Sequence, residues 1–147
     1  MIGYLRLNID PDGTLRCETG HQPPVGQAAE CMVSAHDAPD PDCQCGITIH
    51  AEPAHIPAGS TPARVIAAVS PGSVVIPHGD GARTNKVILH GIVGFTPTDL
   101  TYLRLTRNYL QYLDEQHPQV RVLPSVDALL AEFPPGSEPP QTQPLPR

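Results

Sequence analysis

A chain of 147 residues is one domain's worth, and with no Trp and only two Phe its core must be aliphatic. A formal net charge of −6, with Lys86 the only lysine, argues against non-specific affinity for nucleic-acid phosphates. No apolar run approaches the roughly 18 residues of a membrane span, while 19 prolines and 12 glycines mark a loop-rich chain.

The first element is a β-hairpin: Ile2 to Ile9, a turn at Asp10-Pro11-Asp12-Gly13, and Thr14 to Cys17. Arg6 and Asn8 interrupt any apolar leader, so no signal peptide is read and a cytoplasmic location is expected. Residues 18–46 are irregular and hold the most informative feature of the chain. Cys31, His36, Cys43 and Cys45 fall within fifteen residues, although the whole sequence has only four cysteines. Three thiolates and an imidazole form a closed shell suited to structural zinc, and such a shell leaves no open position for catalysis. Pro39, Pro41 and the surrounding Asp residues favour turns that fold the segment back. Gly46, after the last Cys, stands where a tight knuckle needs positive φ. The same thiols admit a disulfide or redox reading, which needs an oxidising setting, or a role as small buried hydrophobes. Cys17 and His21 form an upstream pair able to replace one ligand.

Ile47 to Ala51 reads as a short strand, Pro53 to Pro62 as loop, and Ala63 to Val69 as an apolar run of undecided type. Ser73 to Pro77 and Lys86 to Phe95 read as strands joined by the turn His78-Gly79-Asp80-Gly81. That turn, with Arg83 and Lys86, has the composition of a phosphate cradle but lacks the strand-to-helix context. His50, His55, His78 and His90 offer a second, open metal site of catalytic type. Thr96-Pro97 starts a helix running to about Gln116, with Leu100, Leu103, Leu110 and Leu113 inward. Tyr102, Arg104 and Tyr112 on this helix are candidate partner-binding residues, because Tyr and Arg often dominate interfaces. Val120 to Leu123 reads as a strand, and Ser125 caps a helix that turns Val126, Leu129, Leu130 and Phe133 inward. Residues 134–147 read as a disordered Pro-rich tail, leaving 1–133 as a single zinc-stabilised domain whose zinc segment is about 17–50.

The run from Gly3 to Ile47 resembles a group of uncharacterised small proteins from actinobacteria and their bacteriophages. Gly3-Tyr4, Gly13, Cys31, His36, Pro39 and Cys43-Gln44-Cys45-Gly46-Ile47 carry the likeness, and Val87 to Val93 is similar to a later strand of the group. Thr48-Ile49 stands where the group has Tyr-Ala, and His90 where it has Trp. The resemblance implies no activity. It favours Cys31, His36, Cys43 and Cys45 as a unit, with Cys17 outside.

These readings converge on an α+β fold: a small, mostly antiparallel sheet, a zinc-stapled irregular N-terminal segment and two C-terminal helices. The expected function is a non-catalytic zinc module that engages a protein partner, and the resemblance extends this to a phage protein acting on a host protein. The alternatives are a small metal-dependent enzyme or nucleotide binder at the His- and Gly-rich turn, and a zinc-knuckle nucleic-acid binder.

Overall fold

The structure, a computed structural model, describes residues 1–18, 23–29, 31, 38–40, 43, 45–56, 64–93 and 100–139, with backbone alone at 100–103. The chain begins with the expected hairpin, β1 (Gly3–Ile9) and β2 (Leu15–Cys17), in antiparallel register Leu7↔Cys17. Its turn closes because Gly13 takes φ +95° and its amide reaches the Asp10 carbonyl at 2.8 Å. After β3 (Ile47–Ile49) come a 3₁₀ turn (Pro53–His55) and then β4 (Arg64–Pro71). The undecided run at 63–69 is thus the central strand. Central in the sheet and covered on both faces, with Ala67 and Val69 in one apolar cluster and Ile66 and Ala68 in the other, β4 buries every residue from Ala67 to Ser70, so its sequence shows no alternation.

β5 (Val75–His78) and β6 (Gly81–Thr84) form a hairpin, followed by β7 (Val87–Val93). This corrects one expectation. The turn at 78–81 joins β5 to an additional strand, β6, and does not lead directly into the strand beginning near Lys86. Helix α1 (Leu100–Gln116) crosses over to β8 (Arg121–Leu123), which pairs with β7 in parallel, and α2 (Val126–Glu132) ends the fold. The expected helix start at Thr96-Pro97 lies outside the described residues.

Two sheets result, a five-stranded one in the order β2-β1-β4-β7-β8 and a three-stranded one in the order β3-β6-β5. All pairings except β7–β8 are antiparallel, as expected for a small α+β fold. Paired backbone amides of Tyr4 and His50 tie the two sheets together at 2.7 and 2.8 Å. The stripe of α1 that meets the core comprises Leu105, Tyr109, Tyr112 and Leu113, spaced by four, three and one residues. Leu110, expected inward, is instead 38% exposed, because Tyr109 takes the buried position beside it. Ser125 caps α2 by accepting the Ala128 amide at 3.1 Å. Leu129 and Phe133 are fully inside while Val126 and Leu130 are half-buried. Beyond Phe133 the chain returns to the N-terminal strand, where the Ile2 amide donates to the Ser137 carbonyl at 2.8 Å. Residues 140–147 of the expected tail lie outside the described residues.

His90 occupies a bulge of β7: Ala68 pairs with Gly91 and Val69 with Leu89, so His90 has no cross-strand partner. Its Nε2 instead meets Ser70 Oγ at 2.7 Å. Burial first, then the positive chain terminus, lowers the His90 pKa from its ordinary value, and burial lowers that of His117. A histidine depressed in the fold is more basic when unfolded, so protons favour the unfolded chain. The stabilisation is full above the unfolded value of about 6.5 and is lost as the pH falls through the lower folded value. Melting temperature should therefore decline as the pH falls below about 6.5, and His90→Gln should flatten that decline. An unchanged slope would assign the pH dependence to other groups.

Candidate metal centre

Each cysteine of the candidate site is positioned by a different part of the β3–β6–β7 region. The residues leading into Cys31 are anchored where the Ala29 amide donates to the Asn85 carbonyl, at 2.6 Å, in the β6–β7 connection. The Cys43 amide donates to the Asp40 carbonyl at 3.1 Å. Cys45 precedes Gly46, whose φ of +101° matches the expectation for a knuckle. A side chain at Gly46 would also collide with Pro39, whose Cβ lies 2.8 Å from the position of the missing Cβ. From Gly46 the chain enters β3 directly, where Ile47, Thr48 and Ile49 pair with Thr84, Arg83 and Ala82.

The result is a gathered trio. The thiol sulfurs of Cys31, Cys43 and Cys45 all lie within 4.8 Å of one another and can hold a metal ion. Cys31 Sγ and Cys43 Sγ are 3.7 Å apart, far beyond the roughly 2.05 Å of a disulfide. Tetrahedral zinc with Zn–S bonds of about 2.3 Å requires sulfurs about 3.8 Å apart, so this pair fits without rearrangement. Burial, followed by the neighbouring Cys43 and Cys31 thiols, raises the Cys45 pKa. A divalent cation, by favouring the thiolate, would relieve that resistance to ionisation at Cys45.

One group missed from sequence completes the arrangement. Arg83 is only 7% exposed, and its Nη1 donates to the carbonyl of Cys43 and, at 3.3 Å, to that of Cys45. Its sequence neighbourhood reads as a hairpin turn without the context of a phosphate cradle, and the side chain faces the cysteine knuckle and holds it from behind. A guanidinium there orients two thiol-bearing residues through their backbones and sets a positive charge beside a cluster that would carry three negative ones. No local signal marks this role, since it depends on Arg83 facing residues about forty positions earlier.

The other expected site residues are distributed as follows. His36 and His21 lie outside the described residues. Cys17 is fully buried at the end of β2, apart from the trio, and burial pushes its thiol up to about 12. The four histidines do not form one site: His50 and His55 meet at Asp80, whereas His90 belongs to the Ser70 contact. Among the described residues, the three cysteines are the one group of three or more metal-ligating side chains close enough to share an ion. On α1, Arg104 is exposed, Tyr112 is half-buried against His117 with ring centroids 5.6 Å apart, and the Tyr102 side chain lies outside the described residues. No helix of the described residues is long and apolar enough to cross a membrane. No protein-family model, curated protein or solved structure matches this chain.

Proposed function

We propose that this chain is a non-catalytic module stapled by one zinc ion, which acts by engaging a protein partner. The observation that carries the reading is the trio of Cys31, Cys43 and Cys45, with sulfurs within 4.8 Å of one another and the Cys31–Cys43 pair at tetrahedral spacing, backed by the buried Arg83. His36 is the fourth ligand in this reading, since its place between Cys31 and Cys43 gives the closed Cys3His shell. Thiolate-rich ligation favours zinc over magnesium or calcium, which prefer oxygen donors.

The metal stands in for missing core. The segment between Cys17 and Ile47 has few large apolar side chains, so coordination supplies the free energy that ordering it requires. The net charge of −6 and the two exposed arginines of α1, Arg104 and Arg107, offer too few phosphate contacts for a nucleic-acid binder. They suit a protein partner better. Its contact surface is the outer face of α1, where Arg104, Arg107 and the 38% exposed Leu110 lie, while Tyr112 packs with the core-facing stripe. The sequence resemblance to phage proteins fits a partner from the host cell.

Chain purified under reducing conditions should contain one zinc per molecule. Metal-free protein, or a Cys31–Cys43 disulfide in the purified chain, would overturn the reading. The double variant Tyr102→Ala with Arg104→Ala should keep its zinc while losing a partner captured from lysate. Undiminished capture would move the interface to the zinc loop around Asp37 to Asp42.

A further inference from the structure

The outer face of α1 carries its charges in two blocks. Arg104 and Arg107 lie toward the start of the helix and Asp114 and Glu115 in its last turn, with Leu110 and Gln111 between, all of them exposed. Opposite charges three or four residues apart would pair along the helix, but Arg107 and Asp114 are seven apart, about 10 Å along the axis. Among the described residues, Arg104, Arg107 and Asp114 make no ion pair, and Glu115 accepts from the Gln111 amide at 3.0 Å. The order also opposes the helix dipole. The last turn of α1 holds Asp114 and Glu115 and no basic residue, although the unpaired carbonyls there favour cations. Local preference therefore gives no reason for this arrangement.

A second copy of the chain supplies one. Turned antiparallel about a two-fold axis, this face is its own complement: the basic block of each copy comes opposite the acidic block of the other. Residues 104, 107, 111 and 114 recur at spacings of three, four and three, the seam of a paired helix. In antiparallel register, Arg104 of one copy meets Asp114 and Glu115 of the other, Arg107 meets Gln111, and the two Leu110 side chains close the seam beside the axis. A parallel pair would set like charges together. We infer that α1 pairs antiparallel with α1 of a second copy, forming a homodimer through Arg104, Arg107, Leu110, Asp114 and Glu115. The inference rests on the reading of α1 as the contact surface and names its occupant, which a partner of another kind would have to displace. It does not depend on the metal.

Sedimentation equilibrium on the full, metal-loaded chain tests this. Monomer should convert to dimer as concentration rises and return to monomer as salt is added, because exposed ion pairs are weak and screened. Arg104→Glu with Arg107→Glu makes the face acidic throughout, and Asp114→Arg with Glu115→Arg makes it basic throughout. Each double variant alone should associate about tenfold more weakly than the parent, or worse. An equimolar mixture of the two should recover a heterodimer at least as tight as the parent dimer. All four positions are exposed, so melting temperature and metal content should stay near those of the parent. Recovery in the mixture is a result that misfolding of either variant cannot produce. A chain that is monomeric at every concentration, association untouched by either double variant, or no recovery in the mixture would overturn the inference. If the chain is monomeric while Tyr102→Ala with Arg104→Ala still loses its captured partner, the inference falls and the proposed function stands.

Discussion

Cys43→Ser should release the metal and lower the melting temperature by on the order of 10 °C or more, while Cys17→Ser should keep the metal. A serine hydroxyl does not ionise to serve as a ligand, and in the proposed Cys3His shell the two remaining sulfurs with His36 would make an open, weak set. Binding free energy in a structural site is folding free energy, so its loss falls directly on stability. At about 2–4 °C per kcal/mol for a chain of this size, a loss of about 4 kcal/mol gives the stated shift. Cys17→Ser is not silent, because a hydroxyl placed in the fully buried Cys17 site costs about 1–3 kcal/mol of its own. Metal content, and not melting temperature alone, therefore separates the two variants. Equal metal loss in both would bring Cys17 into the shell, and full metal retention in Cys43→Ser would remove Cys43 from it.

What was readable in the sequence was local. The Asp10–Gly13 turn, the Ser125 cap and the positive φ at Gly46 each follow from a residue type at a fixed offset, and each has the expected geometry. The cysteine trio was also readable, since ligand chemistry and crowding in sequence already confine it. What could not be read depends on distant partners. β6, with the sequence Gly-Ala-Arg-Thr, lacks both alternation and β-branched density, and exists because β3 and β5 flank it on both sides. β4 loses its period-two pattern because both of its faces are covered, Ala67 and Val69 by one apolar cluster and Ile66 and Ala68 by the other. Leu110 was assigned to the core from leucine spacing alone, but α1 presents Leu105, Tyr109 and Leu113 to the sheet, and that rotation leaves Leu110 outside. The His50–His55–Asp80 cluster follows the same logic, because Asp80 arrives from a hairpin tip 25 residues beyond His55.

Arg83→Met should weaken metal binding by about 10–100-fold while leaving the three cysteines in place, the usual effect of removing a group that orients the ligands. Methionine matches the aliphatic stem of arginine and keeps the volume, so the change removes chiefly the guanidinium. Two consequences then add. The carbonyls of Cys43 and Cys45 lose a charged donor in a site that is 7% exposed, which costs about 1.5–3 kcal/mol in stability. The thiolates also lose the nearby positive charge that offsets part of their own, which favours metal release. Arg83→Lys keeps the charge but lacks the planar guanidinium that aims Nη1 at both carbonyls, so it should fall between Met and the parent chain. Competition against a chromophoric chelator measures the affinity, and cobalt substitution reports the geometry, because thiolate-to-cobalt bands change when the sulfurs shift. If Arg83 serves only the core, Arg83→Met lowers the melting temperature with chelator competition and cobalt bands unchanged. Weakened affinity with altered bands ties the buried guanidinium to the cysteine cluster. The short β3–β6 pairing would then be the means by which the sheet holds two thiols of the metal site in register.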